Sequence, residues 1–130
     1  MKKNGKQPPE GLIITVSAGM IGHHGYRHWL RNFLDAMARN ADGEDMYYWM
    51  RAGGMVKLDQ HMLYVYLCIG GKIRYRCIYA GCEEGGTKTF DDGRTISAKA
   101  WILLAGPVEL APYPIKKQGF QGFRYTQKLF

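Results

Sequence analysis

Residues 61–80 read HMLYVYLCIGGKIRYRCIYA, and this stretch decides the fold. Two runs rich in β-branched and aromatic residues, 61–69 and 72–80, flank Gly70-Gly71, the pair that a two-residue hairpin loop with positive φ favours. The pattern predicts a tight antiparallel hairpin. With a two-residue loop, Ile69 faces Lys72, Leu67 faces Arg74, Tyr66 faces Tyr75, Val65 faces Arg76 and Tyr64 faces Cys77. One face then carries Tyr64, Tyr66, Cys68, Ile73, Tyr75, Cys77 and Tyr79. The other carries Leu63, Val65, Leu67 and Ile69 beside Lys72, Arg74 and Arg76. Neither face is plainly solvent. Such a sheet either curls into a barrel or has a helix on one side and a ligand or polar rim on the other.

Upstream, residues 1–11 are polar, contain Pro8-Pro9 and lack periodicity, which reads as a flexible N-terminal tail ahead of a single domain at 12–130. Residues 12–17, LIITVS, read as a buried strand, and the glycine-rich 18–25 as a loop. In residues 26–39, Trp29, Leu30, Phe33, Leu34 and Met37 recur at helical spacing, which predicts the one main helix. Residues 46–51 read as a strand or an extended edge. Downstream, 82–94 is glycine-rich and charged and reads as a connection. Residues 101–104 form a further buried strand closed by Gly106-Pro107, and 120–125 alternate as if closing the sheet. The fold class is therefore α+β: one strand, one helix, then mostly antiparallel strands.

With 130 residues and a 46% hydrophobic fraction, the chain is one domain with one core. No apolar run approaches the roughly 18 residues that a membrane span needs, and no apolar segment follows the charged start. Three cysteines cannot all pair within one chain, which favours a reducing, cytoplasmic setting. The net charge is +7, and ten of the eighteen Lys and Arg lie in 61–130 against five of the eleven acidic residues. An excess of this kind favours polyanionic partners, although it also serves solubility.

His23, His24 and His28 lack an HExxH pattern or a carboxylate at a useful offset, so they read as loop and helix-start residues and no metal is expected. Cys68 and Cys77 sit inside the hairpin as small core residues, and Cys82 lies beside Glu83 and Glu84, poor company for a nucleophilic thiolate. No catalytic residue and no cofactor are assigned. Gly19, Gly22 and Gly25 give GxxGxxG with no parallel βαβ unit to follow, and so read as a flexible connection rather than a dinucleotide loop. The remaining signal is the interleaving of aromatic and basic residues. Bases stack on aromatic faces while Arg and Lys hold phosphates, which nominates Tyr48, Trp49, Arg51, Lys57, Arg74, Arg76 and Arg124 as a nucleic-acid-binding set. Against this stands the commoner use of strand aromatics as core.

The segments WILLAGPV (101–108), Pro114-Ile115 and GFQGFRY (119–125) resemble the closing part of PUA-like domains, the superfamily that includes ASCH and EVE domains. The pattern extends over 46–130 and is sharp over 101–125. The resemblance implies an antiparallel β pseudo-barrel with a flanking helix, and a pocket at the barrel's side that binds RNA or a modified or flipped base. Some ASCH proteins are ribonucleases or amidohydrolases of acetylated cytidine that use Lys, Thr and Glu, and no stretch here reproduces their motif. Three expectations follow: a module binding RNA or modified DNA, a small hydrolase of a modified nucleoside or RNA with Lys57 as the charge-stabilising group, or a protein-interaction factor such as a phage-type inhibitor.

Overall fold

The computed structural model describes residues 8–57, 62–90, 93–120 and 122–130. Strands β3 (Tyr64–Ile69) and β4 (Lys72–Thr89) form the expected hairpin, turning at Gly70 (φ 59°) and Gly71 (φ 78°). Ile69 faces Lys72 and Cys68 faces Ile73, but Leu67 then faces Tyr75, Tyr66 faces Arg76 and Val65 faces Cys77. Arg74 is left opposite no residue of β3, so the strand carries a bulge there. Side chains alternate with a period of two, and one extra residue exchanges the faces beyond it as far as the next unpaired residue of β4, Ala80. Tyr75, Cys77 and Tyr79 therefore join Val65 and Leu67 over the main core, while Arg76 joins Tyr64 and Tyr66 on the opposite side. This corrects the unbulged pairing, which put Arg76 with Val65 and the tyrosines together.

The second correction concerns 82–94. β4 does not stop at Ala80 but continues to Thr89 against β5 (Thr95–Lys116), with Glu83 opposite Trp101 and Thr87 opposite Ser97. One of the glycines that read as loop markers serves close approach instead: a Cβ on Gly85 would collide with the Ala98 carbonyl oxygen. Trp101 Nε1 donates to the Gly86 carbonyl at 3.1 Å, pinning the same stretch. The connection shrinks to a short turn in which Phe90 N donates to Arg94 O at 2.8 Å.

Strands β1 (Gly11–Thr15), β2 (Tyr48–Ala52) and β6 (Phe123–Thr126) complete one six-stranded sheet in the order β2-β5-β4-β3-β1-β6. Four of its five pairings are antiparallel. The fifth, β1 with β3, is parallel. Two helices, the short α1 (Ala18–Ile21) and α2 (Tyr26–Ala41), lie between β1 and β2. Residues 1–7 of the expected flexible tail lie outside the described residues. Its remainder is tied down: Glu10 N donates to Thr126 O at 3.0 Å, and Gly11 opens β1.

The sheet curls into a half-barrel, and one core draws on every strand: Leu12, Met50, Val65, Cys77 and Ile102 are buried in it, with Phe123 of β6 packed alongside. Trp29, Phe33 and Met37 of α2 cover this core, as their spacing required. The helix sits directly on β5 at Gly106, whose N–H donates to Asn40 Oδ1 at 2.9 Å. A smaller core of Ile13, Tyr66, Cys68 and Ile73 lies on the other face, which explains why β1 is apolar throughout instead of alternating. The free edges, β2 and β6, approach where Lys57 N donates to Tyr125 Oη at 3.0 Å. Among the described residues no helix is long and apolar enough to cross a membrane.

A Cβ at residue 106 would meet Met37 O at 1.9 Å, whereas one at Gly54 meets nothing within 4 Å. Gly106→Ala should therefore cost at least about 2 kcal/mol by urea denaturation, and Gly54→Ala should stay within about 0.5 kcal/mol. Equal effects would show that α2 does not rest on this glycine.

Candidate functional site

Two clefts open beside β2. The short α1 begins at Ser17, whose Oγ accepts from Met20 N at 3.3 Å, and its carbonyl end is held from outside. Arg94, at the tip of the β4-β5 hairpin, donates to the carbonyls of both Gly19 and Met20, the latter at 3.2 Å. This guanidinium latches the hairpin tip onto α1 and lines both clefts.

The first cleft, about 600 Å³, is aromatic. Tyr47, Tyr48 and Trp49 line it from the start of β2, Trp29 and His28 from α2, and Phe90 from the hairpin tip. Tyr48 is fixed in place: its hydroxyl accepts from Trp29 Nε1 at 2.6 Å, and its ring meets those of Trp29 and Phe33 edge-on. Trp49, on the opposite face of β2, has the Lys88 ammonium 3.4 Å from its ring centroid. His23, His24 and His28 sit in series with tilted rings and centroids 4.1 and 4.8 Å apart, and Asn32 lies 3.1 Å from His28 Nε2. Among the described residues no group of three or more His, Cys, Asp or Glu is placed to hold a metal.

The second cleft, about 910 Å³, occupies the gap between the two free edges of the half-barrel. Arg51 and Gly53 line it from β2 and the turn after it, Ile14 and Thr15 from β1, Lys99 from β5, and Phe120 and Gly122 from the approach to β6. Its described lining has three cations, Arg51, Arg94 and Lys99, the hydroxyls of Thr15, Ser17 and Ser97, and, among the described residues, no carboxylate. That composition suits an anionic ligand.

The seven residues nominated from sequence separate accordingly. Tyr48 and Trp49 line the aromatic cleft and Arg51 the cationic one. Arg124 borders the cationic cleft indirectly, its guanidinium 4.4 Å from the ring centroid of Phe120. Lys57 is exposed and lines neither cleft. Arg74, at the bulge, lies near Tyr26, whose phenol is pushed up by burial and by Tyr75 with Arg74 opposing. Arg76 is sequestered: it lies 4.1 Å from the Tyr64 ring and 4.9 Å from Phe130, and pairs with Glu109 at 2.9 Å. Burial works against its charge, but Glu109, Tyr64 and Tyr66 outweigh that and hold the guanidinium above its ordinary range. Sequence reasoning missed Phe90, Arg94 and Lys99, which come from the stretch read as a connection or from just beyond it, and it left His24 and His28 outside the site although their i, i+4 spacing was visible.

Compared with protein-family models, curated proteins and solved structures, the chain matches none.

The thiols give a check on this geometry. Burial pushes Cys77 far above the ordinary thiol range, and burial also raises Cys68, whereas Cys82 is partly exposed beside Met55. Iodoacetamide should label Cys82 in the native protein and reach Cys68 and Cys77 only on unfolding. Because those two ionise more easily in the unfolded chain, stability should fall as the pH rises above the ordinary thiol range, at about 8.5. Rapid native labelling of all three would contradict the buried positions.

Proposed function

We propose that the chain is a nucleic-acid-binding module of the PUA-like kind, taking RNA or a modified or flipped base. The observation that carries this reading is the junction of two unlike clefts at Arg94: an aromatic one holding Trp49, and one lined by Arg51, Arg94 and Lys99 with no carboxylate among the described residues. Bases bury their faces against aromatic rings while phosphates seek guanidinium and ammonium groups. A nucleotide presents both needs within one residue. The curled, mostly antiparallel sheet with a helix across its core is compatible with a PUA-like pseudo-barrel. The hydrolase reading loses its candidate group, because Lys57 stands outside both clefts.

Leu110, opposite Tyr75, and Tyr113, in the stretch of β5 that then leaves β4, are each 71% exposed and favour a second reading as a protein-interaction factor. A pulldown that recovers one stoichiometric protein after nuclease treatment, and loses it with Leu110→Ser, would support it.

Binding of fluorescent oligonucleotides should be measurable by anisotropy at low salt and should weaken as salt rises. Trp49→Ala should cost about 1–3 kcal/mol of binding, the usual worth of one stacked base. Arg76→Ala should change stability rather than affinity, because Glu109 and two rings already occupy its guanidinium. Absence of binding at low salt would remove the reading.

A further inference from the structure

We infer that the ligand is a single strand laid across the gap between the free edges of the half-barrel, and this inference rests on the nucleic-acid reading above. Trp49 and Arg51 are two residues apart on β2 and so share a face, roughly 7 Å from each other along the strand. Trp101 lies opposite Arg51 and Ala100 opposite Ala52, which places Lys99 one position beyond, on the same face as Arg51. The two cations therefore flank the gap directly after the Trp49 platform. At the far side of the gap the pattern repeats. Phe120 lines it and carries Arg124 at 4.4 Å from its ring centroid, just as Trp49 carries Lys88 at 3.4 Å.

The succession is aromatic with cation, then paired cations, then aromatic with cation. A strand of two or more nucleotides satisfies it, stacking a base at each end and holding phosphates between. A free nucleoside uses one end only. A duplex keeps its base faces covered by its own stack and offers neither ring a surface.

The test is fluorescence anisotropy competition with uridine monophosphate, single-stranded oligouridylates of two, four and eight nucleotides, and an eight-base-pair RNA duplex. The four-mer should bind at least about tenfold more tightly than the mononucleotide, with a plateau in affinity per site beyond it and weaker binding of the duplex. Arg51→Ala with Lys99→Ala should lower the slope of log affinity against log salt by about 1.4, two phosphate contacts on a single strand, while Trp49→Ala should leave the slope unchanged. Phe120 also packs on the smaller core, so Arg124→Ala, an exposed change, tests the far end and should weaken the four-mer but not the monophosphate. Equal affinity for mononucleotide and four-mer, with no effect of the Arg51 and Lys99 changes, overturns the strand inference and leaves the aromatic cleft as a base site. Preference for the duplex also overturns it. Failure of every probe to bind removes the underlying reading and this one with it.

Discussion

A pleated strand sends alternate side chains to opposite faces, so a single unpaired residue decides which half of the strand beyond it reaches the core. Arg74 is that residue. Without it, β4 would present Arg76 to the space now filled by Cys77 and Tyr75 beside α2, and a guanidinium would have to be desolvated there with no partner. With it, the apolar set of β4 faces Val65 and Leu67, and Arg76 meets Glu109 and two aromatic rings instead. β5 also leaves register opposite Arg74, where its residues 111–114 face that one residue of β4, an excess of its own that loops outward and holds the exposed Tyr113. Further register shifts follow along β4 and β5, and bulges of this kind increase the local twist of the curled sheet.

That curl matters for the clefts because it brings two strand edges toward each other without pairing them. β2 and β6 are distant in the sheet order and yet approach through the contact between Lys57 N and Tyr125 Oη. An edge normally exposes unpaired backbone groups. Here the gap between edges is wide enough to be a cleft and is lined by cations. Its floor is the main core and its end wall is α1, held by Arg94. A four-residue helix has little stability of its own, and Ser17 supplies a cap at one end while the hairpin tip supplies carbonyl partners at the other. The long β4-β5 ribbon thus links the helix layer to the sheet at two places, at Gly106 against α2 and at Arg94 against α1.

Much of the fold was legible because its signals are local. Gly70-Gly71 announces a two-residue turn, residues 26–39 carry a helical stripe, and the apolar run after Gly11 is a strand buried on both faces. The bulge was not legible, because nothing in KIRYR marks Arg74 rather than its neighbours as the unpaired residue, and the choice is made by what lies across the sheet. The extension of β4 past Ala80 was hidden for a related reason. Glycine at 85 reads as a loop in sequence, but it is there because the Ala98 and Lys99 carbonyls approach too closely for a side chain. Sequence neighbours cannot report a contact made thirteen residues away in β5.

The candidate site suffered most from these two gaps, and the outcome separates charge from availability. Composition puts the basic excess in the C-terminal half, and the simplest inference assigns binding to the arginines of the hairpin. The fold spends Arg76 on an internal pair and leaves Arg74 at a bulge near Tyr26. Its cationic cleft is assembled instead from Arg51, Arg94 and Lys99, with Arg124 at its border, residues that no window of sequence holds together. What unites them is position: Arg51 lies on the edge strand β2, Lys99 on β5 one residue past its last pairing with β2, Arg94 at the turn that latches α1, and Arg124 on the edge strand β6. A net charge of +7 therefore counts cations, while the fold decides which of them are paired internally and which line a cleft.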